Sequence, residues 1–222
     1  MSFADALARA DQAWTARADP AQAAQSIPFY VEAAKARPSD PRGYAGAIRS
    51  EAFLLGREKD SARKTARAVH AVELGQQCEL AAPEAPPCDY WLAAALGLQA
   101  REKIATAHDA LPKMVELLQR AKKGDPDLDG GGPSRLLALI YLRAPAWPLG
   151  PGDPESGLTE ITELVKRVPN DPRNQLALGE ALKKRNQPEA SATAYETALR
   201  LATGSSDPDA SGWAADAREA LH

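Results

Sequence analysis

Few residues in this chain have chemistry to offer. Cys78 and Cys88 stand ten positions apart around Pro83, Pro86 and Pro87. Two readings of them are open. A single disulfide closing a proline-rich loop would imply an oxidising compartment, whereas unpaired thiols would suit a reducing cytosol. A zinc site would need four ligands at short spacings, and His70, His108 and His222 do not cluster with the cysteines. The run Asp125-Pro126-Asp127-Leu128-Asp129-Gly130 has the acids and the glycine of a calcium loop opening. Its twelfth position is Leu136, where a bidentate glutamate is required. It therefore reads as a solvated turn between helices. His70 and His108 fall in helical segments without a nucleophile or a paired carboxylate beside them. Gly130-Gly131-Gly132-Pro133 follows a polar turn and lacks the lysine of a phosphate-binding loop. Catalysis is not expected, and no metal or cofactor is implied.

The remaining candidates are binding residues. Aromatics make up 5% of the chain, yet Tyr90, Trp91, Tyr141 and Trp147 all fall between positions 90 and 147. Tyr and Trp combine apolar area with one polar handle and often line ligand grooves. They also supply the volume that an alanine-built core lacks, and both readings stay open. Arg135 follows the Gly-Gly-Gly-Pro-Ser turn at the start of a helix. It either binds an anion there or pairs with an acid such as Asp129.

The elements that must position these residues are helices. Of 222 residues, 46 are alanine, while valine and isoleucine together number only 11. Strands need β-branched and aromatic side chains, whereas alanine and leucine are the best helix formers. With 27 basic and 30 acidic residues, the chain has no basic excess for nucleic acid. No apolar stretch reaches the roughly 18 residues of a membrane span. The first 18 residues carry Asp5, Arg9, Asp11 and Arg17, so they contain no signal-peptide core. Either the protein is cytosolic or a targeting segment has been removed.

Proline and glycine punctuate helical runs at about 3–18, 21–36, 42–55, 60–77, 89–100, 102–122 (interrupted near Pro112), 134–143, 155–167, 173–185, 188–202 and 208–220. Asp40-Pro41, Asp153-Pro154, Asp171-Pro172 and Asp207-Pro208 each place an acid at an N-cap before a proline at the first helical position. Repeated start signals suggest repeats. Over 172–205, Leu178-Gly179, Leu182, Ser191, Tyr195, Ala198 and Leu201 have the small/large spacing of a tetratricopeptide repeat of 34 residues. Gln175 departs from it where a bulky aromatic is usual, as does Thr203 in place of the terminal proline. A second unit, 134–169, carries Leu137-Ala138, Tyr141, Gly157, Ile161 and Leu164, with about seven extra residues near Ala144–Gly150. Ser26, Tyr30, Ala33 and Pro38 repeat the second-helix pattern, and the middle of the chain matches loosely. The fold class is all-α: an α-solenoid of antiparallel helix pairs, about ten or eleven helices, in one helical-repeat domain over 1–222, with irregular repeats across 3–123.

Three stretches together resemble the T component of tripartite ATP-independent periplasmic (TRAP) transporters: Cys88-Asp89-Tyr90-Trp91, Gly130-Gly131-Gly132-Pro133-Ser134-Arg135 running on to Tyr141, and Ala144-Pro145-Ala146-Trp147-Pro148 with Gly152-Asp153. The resemblance covers about 70–200. It implies a helical-repeat lipoprotein of the bacterial periplasm that associates with a substrate-binding subunit and has an apolar pore or cleft. It also favours a Cys78–Cys88 disulfide. Trp91, Arg135, Tyr141 and Trp147 lie in the matching stretches. No lipid-attachment motif is present here, so any lipid anchor would belong to a segment removed from this chain. The expected function is a non-catalytic periplasmic adaptor that binds a protein partner, the substrate-binding subunit of a transporter, with an apolar small ligand as a further expectation. The alternative is a cytosolic tetratricopeptide-repeat scaffold.

Overall fold

A computed structural model of the chain describes residues 1–103 and 106–222, with backbone alone at 107 and 108. Eleven helices are formed among the described residues: α1 (Phe3–Thr15), α2 (Pro20–Ala36), α3 (Arg42–Leu55), α4 (Ser61–Ala81), α5 (Pro86–Glu102), α6 (Ala107–Gly124), α7 (Leu128–Arg143), α8 (Pro154–Arg167), α9 (Pro172–Lys184), α10 (Pro188–Thr203) and α11 (Ala210–Leu221). No strand occurs among them beyond one isolated bridge, Ala146 to Gly152. No described helix is long and apolar enough to cross a membrane. The all-α expectation of paired helices holds.

The chain divides into two compact units, Met1–Asp125 and Pro126–His222. In each, a helix packs on the next in sequence and, more lightly, odd helices touch the next odd one: α1–α3 and α3–α5 in the first unit, α7–α9 and α9–α11 in the second. Each unit is thus two layers of helix, odd against even.

Aspartate caps set several helix starts. Asp19 takes the Ala21 N–H at 2.9 Å, Asp171 takes that of Arg173 at 2.8 Å, and Asp153 takes those of Glu155 and Ser156 at 3.1 Å. All three precede a proline at the first helical position, where the missing N–H costs no hydrogen bond. Two of the four expected Asp-Pro starts differ. At Asp40-Pro41 the helix opens one residue later, and the Asp40 carboxylate holds the Arg42 guanidinium at 2.7 Å. At Asp207-Pro208 the helix opens only at Ala210, although Asp207 accepts the Asp209 N–H at 2.8 Å. The expected helix at 102–122 includes residues 104 and 105, which lie outside the described residues. Beyond them α6 runs through Pro112 without a break, the φ of proline being itself helical.

Small residues let the layers close. A Cβ on Gly46 of α3 would lie 2.4 Å from the Tyr30 ring of α2, and one on Gly179 of α9 would lie 2.7 Å from the Tyr195 ring of α10. The serine four positions before each tyrosine is buried and bonded: Ser26 Oγ meets Ser50 Oγ at 2.7 Å, and Ser191 Oγ donates to the Gly179 carbonyl at 2.8 Å. In the second unit Ala138, Leu142, Ile161, Leu164, Ala177 and Ala181 form the buried cluster joining α7, α8 and α9.

The close approach generates an opposed pair of outcomes. Gly179→Ala gains about 1 kcal/mol of helix propensity but overpacks the tyrosine, so a net loss of about 1–2 kcal/mol is expected in urea denaturation. Gly212, in α11, has open space around it, and Gly212→Ala should raise stability by roughly 0.5–1 kcal/mol.

Candidate functional site

The most exposed apolar feature of the second unit is the insertion between α7 and α8. The loop is braced from within: the Gly152 N–H donates to the Pro145 carbonyl at 2.8 Å, Asp153 N–H to the Tyr141 carbonyl at 2.8 Å, and Leu149 N–H to the Ala146 carbonyl at 3.0 Å. The Trp147–Pro148 peptide is cis. From this frame Trp147 stands 87% exposed and Leu149 70% exposed. At the foot of the loop Tyr141, Asp153, Glu155, Ser156, Thr159 and Glu160 line an open cleft of about 500 Å³. The Ser156 hydroxyl and N–H and the Glu155 N–H hold Asp153 below the usual carboxylate range, against a smaller opposing effect of burial. The cleft floor is therefore anionic, beside an apolar tip.

Arg135 has a different position. Asp129, Gly130 and Gly131 all take positive φ, from 51 to 82°, and turn two backbone carbonyls towards α9. Arg135 is buried and donates to Asp129 Oδ2 at 3.0 Å, the Asp129 carbonyl at 3.2 Å and Asn174 Oδ1 at 2.8 Å. Asn174 donates to the Gly130 carbonyl at 3.0 Å. Arg173 reaches Asp129 at 2.9 Å and Asp171 at 2.6 Å. Burial would lower the Arg173 pKa, but the two carboxylates outweigh it and keep the guanidinium charged. Gln175, the departure from the repeat pattern, is buried and donates to the Pro169 carbonyl at 2.9 Å. Two acids of the calcium-like run hold arginines, Asp129 as described and Asp127 with Arg167 at 2.8 Å. Among the described residues no three metal-ligating side chains come together.

In the first unit Tyr90 is buried and Trp91 half-buried, their rings edge to face at 4.9 Å. Cys78 of α4 and Cys88 of α5 are joined as a disulfide with Cα atoms 5.3 Å apart, both residues fully buried. Each cysteine is followed by an acid, and Arg120 of α6 binds both. Its Nε meets Asp89 Oδ2 at 3.0 Å and its Nη2 meets Glu79 Oε1 at 3.0 Å. Lys113 also reaches Glu79 at 3.0 Å. Burial alone would raise the Glu79 pKa, but these two cations outweigh it and hold it below its ordinary value. His70 bonds the buried Glu51 at 2.8 Å through Nδ1, whereas the His108 side chain lies outside the described residues.

Thus Tyr90 and Trp91 touch one another in the first unit. Arg135, Tyr141 and Trp147 share the second but are not one cluster, since Arg135 serves the α7–α9 joint, Tyr141 lies on α7 at the foot of the loop and Trp147 stands exposed on the loop itself. Arg120 went unread in the sequence, although an acid directly after each cysteine was the available signal.

No protein-family model matches the sequence, and no curated protein matches it. Solved structures do. The chain is similar to TTC0263, a thermophilic tetratricopeptide-repeat protein of Thermus thermophilus, with a TM-score of 0.68 and 16% identity over 98% of this chain and 100% of that one. It is also similar to a MamA double mutant (RS-1 ArsTM), with a TM-score of 0.54 and 19% identity over 93% of this chain and 99% of that one. The chain has a tetratricopeptide-repeat-like fold.

Two substitutions test the structural assignments. Arg135→Met leaves Asn174 Oδ1 without its buried donor, while Asp129 keeps Arg173, and should cost roughly 1–3 kcal/mol in chemical denaturation. Replacing both cysteines by serine reopens a ten-residue loop and should cost about 2–3 kcal/mol in the same assay.

Proposed function

We propose that the chain is a non-catalytic helical-repeat scaffold of the bacterial periplasm that docks a protein partner through the 144–153 loop. The observation that carries this reading is the exposure of Trp147 and Leu149 on an internally braced loop. Tryptophan is among the residues that dominate binding energy at interfaces, and a loop already held in shape loses little entropy on docking. The acids beside the tip, Asp153 and Glu155, favour lysine or arginine around an apolar pocket on the partner.

The resemblance to the TRAP T component supplies the partner: the substrate-binding subunit of a transporter. The Cys78–Cys88 disulfide supports an oxidising compartment. A cytosolic scaffold is the competing reading, and the thiol state of native material separates the two.

The test mixes the purified chain with purified transporter substrate-binding proteins of the same organism and measures binding by calorimetry. A complex in the micromolar range is expected, weakened about 10-fold or more by Trp147→Ala, in line with an aromatic hot spot. No complex, or one indifferent to Trp147→Ala, overturns the reading. Free thiols at both cysteines in rapidly alkylated native cells overturn the periplasmic assignment.

A further inference from the structure

The outer face of α4 is uncovered. Among the described residues of the first unit, α4 packs on α3 and α5 and on no other helix. Ala62, Ala66, Val69, Glu73, Gln77 and Leu80 recur at helical spacing along this face and all are exposed, Leu80 by 83%. His70 lies at its edge with the side chain 43% exposed. The imidazole is not free to turn. Its Nδ1 meets Glu51 Oε1 at 2.8 Å, and Glu51 is buried in α3 and tied to Arg67 at 2.7 Å.

A carboxylate only accepts hydrogen bonds, so Nδ1 carries the ring proton and Nε2 keeps its lone pair. A carboxylate behind one ring nitrogen is the arrangement that orients a metal-ligating histidine and makes its other nitrogen more basic. Glu73 stands three positions further along the same helix, and its carboxylate has no partner among the described residues. Helical side chains lean towards the N-terminus, which brings a carboxylate at 73 within reach of an imidazole at 70. One imidazole nitrogen with one carboxylate suits zinc and its transition-metal neighbours. Two side chains leave such an ion half coordinated, since a closed zinc site takes four. A second copy of the chain supplies the other two. When two α4 helices pair antiparallel about a twofold axis between residues 71 and 72, His70 and Glu73 of both copies meet at the axis. The same pairing sets Leu80 of each copy over Ala62 and Ala66 of the other, where the short side chains leave room for it.

We propose that His70 and Glu73 form half of a divalent transition-metal site of the zinc type, and that the ion joins two copies of the chain through their α4 helices. Titration calorimetry of the tag-free full chain with Zn²⁺ should read one ion per two chains. Sedimentation velocity should show a dimer with Zn²⁺ that a chelator disperses. Mg²⁺ and Ca²⁺, which prefer oxygen ligands, should produce neither result. His70→Gln and Glu73→Gln should each weaken Zn²⁺ binding about 10-fold or more and remove the dimer. Leu80→Asp should weaken the dimer several-fold, whereas His222→Gln, in the second unit, should change neither binding nor assembly. If His70→Gln does not fold, Glu73→Gln on the exposed face reads the same dependence, with the melting temperature of the metal-free chain unchanged. The assignment is overturned if Zn²⁺ does not bind or binds without joining two chains. It is equally overturned if the dimer forms as well without metal, or if the His70, Glu73 and Leu80 variants that fold keep it at full strength.

Discussion

Everything in this fold depends on how closely two antiparallel helices can approach when one of them offers almost no side chain. The Tyr30 ring occupies the space where a Cβ on Gly46 would be, and the Tyr195 ring does the same at Gly179. One bulky residue against one absent one fixes both the spacing and the register of a helix pair. A pair built this way buries little apolar area per residue, since methyl groups are most of what it has to bury. Area buried is what the hydrophobic effect rewards, so the close approach has to be supplemented.

The supplements are polar, and they sit where pairs meet the next element. Arg120 ties α6 to the acids that follow both cysteines, while the disulfide itself ties α4 to α5. Arg135 and Arg173 tie α9 to the left-handed turn that opens α7. Glu51, buried in α3, holds Arg67 and His70 of α4. Pairs of this kind are costly when broken rather than strongly stabilising when made. Their contribution here is geometric: a thin core permits sliding, and a buried guanidinium satisfied by three or four acceptors does not.

This division explains what could be read from the sequence. The helices, their pairing and the repeat positions were legible because they rest on local rules: proline and glycine at boundaries, aspartate before proline, and a small residue at a fixed distance from a large one. Even the failures were local, as at Asp207-Pro208, where the helix opens two residues after the proline. The joints were not legible. Asn174 meets Arg135 from 39 positions away and Arg120 reaches Asp89 across 31, and no periodicity announces a contact of that range. Arg135 shows the consequence. Its place near a helix start suggested either an anion site or a pair with Asp129, and only the turn of positive φ at residues 129–131, presenting carbonyls as well as the carboxylate, decides where its donors go.

Aromatic residues divide along the same line. In a core of small residues each ring has structural work, and Tyr30, Tyr90 and Tyr195 are buried accordingly. Trp147 is the exception, 87% exposed on a loop that other residues hold in shape. The loop's bracing runs through the backbone of Tyr141, Pro145 and Ala146, so the indole is not needed to maintain it. A side chain of that size which neither packs the core nor supports its own loop contributes nothing to the folded chain by itself. Its apolar area becomes useful only when a second surface removes it from water.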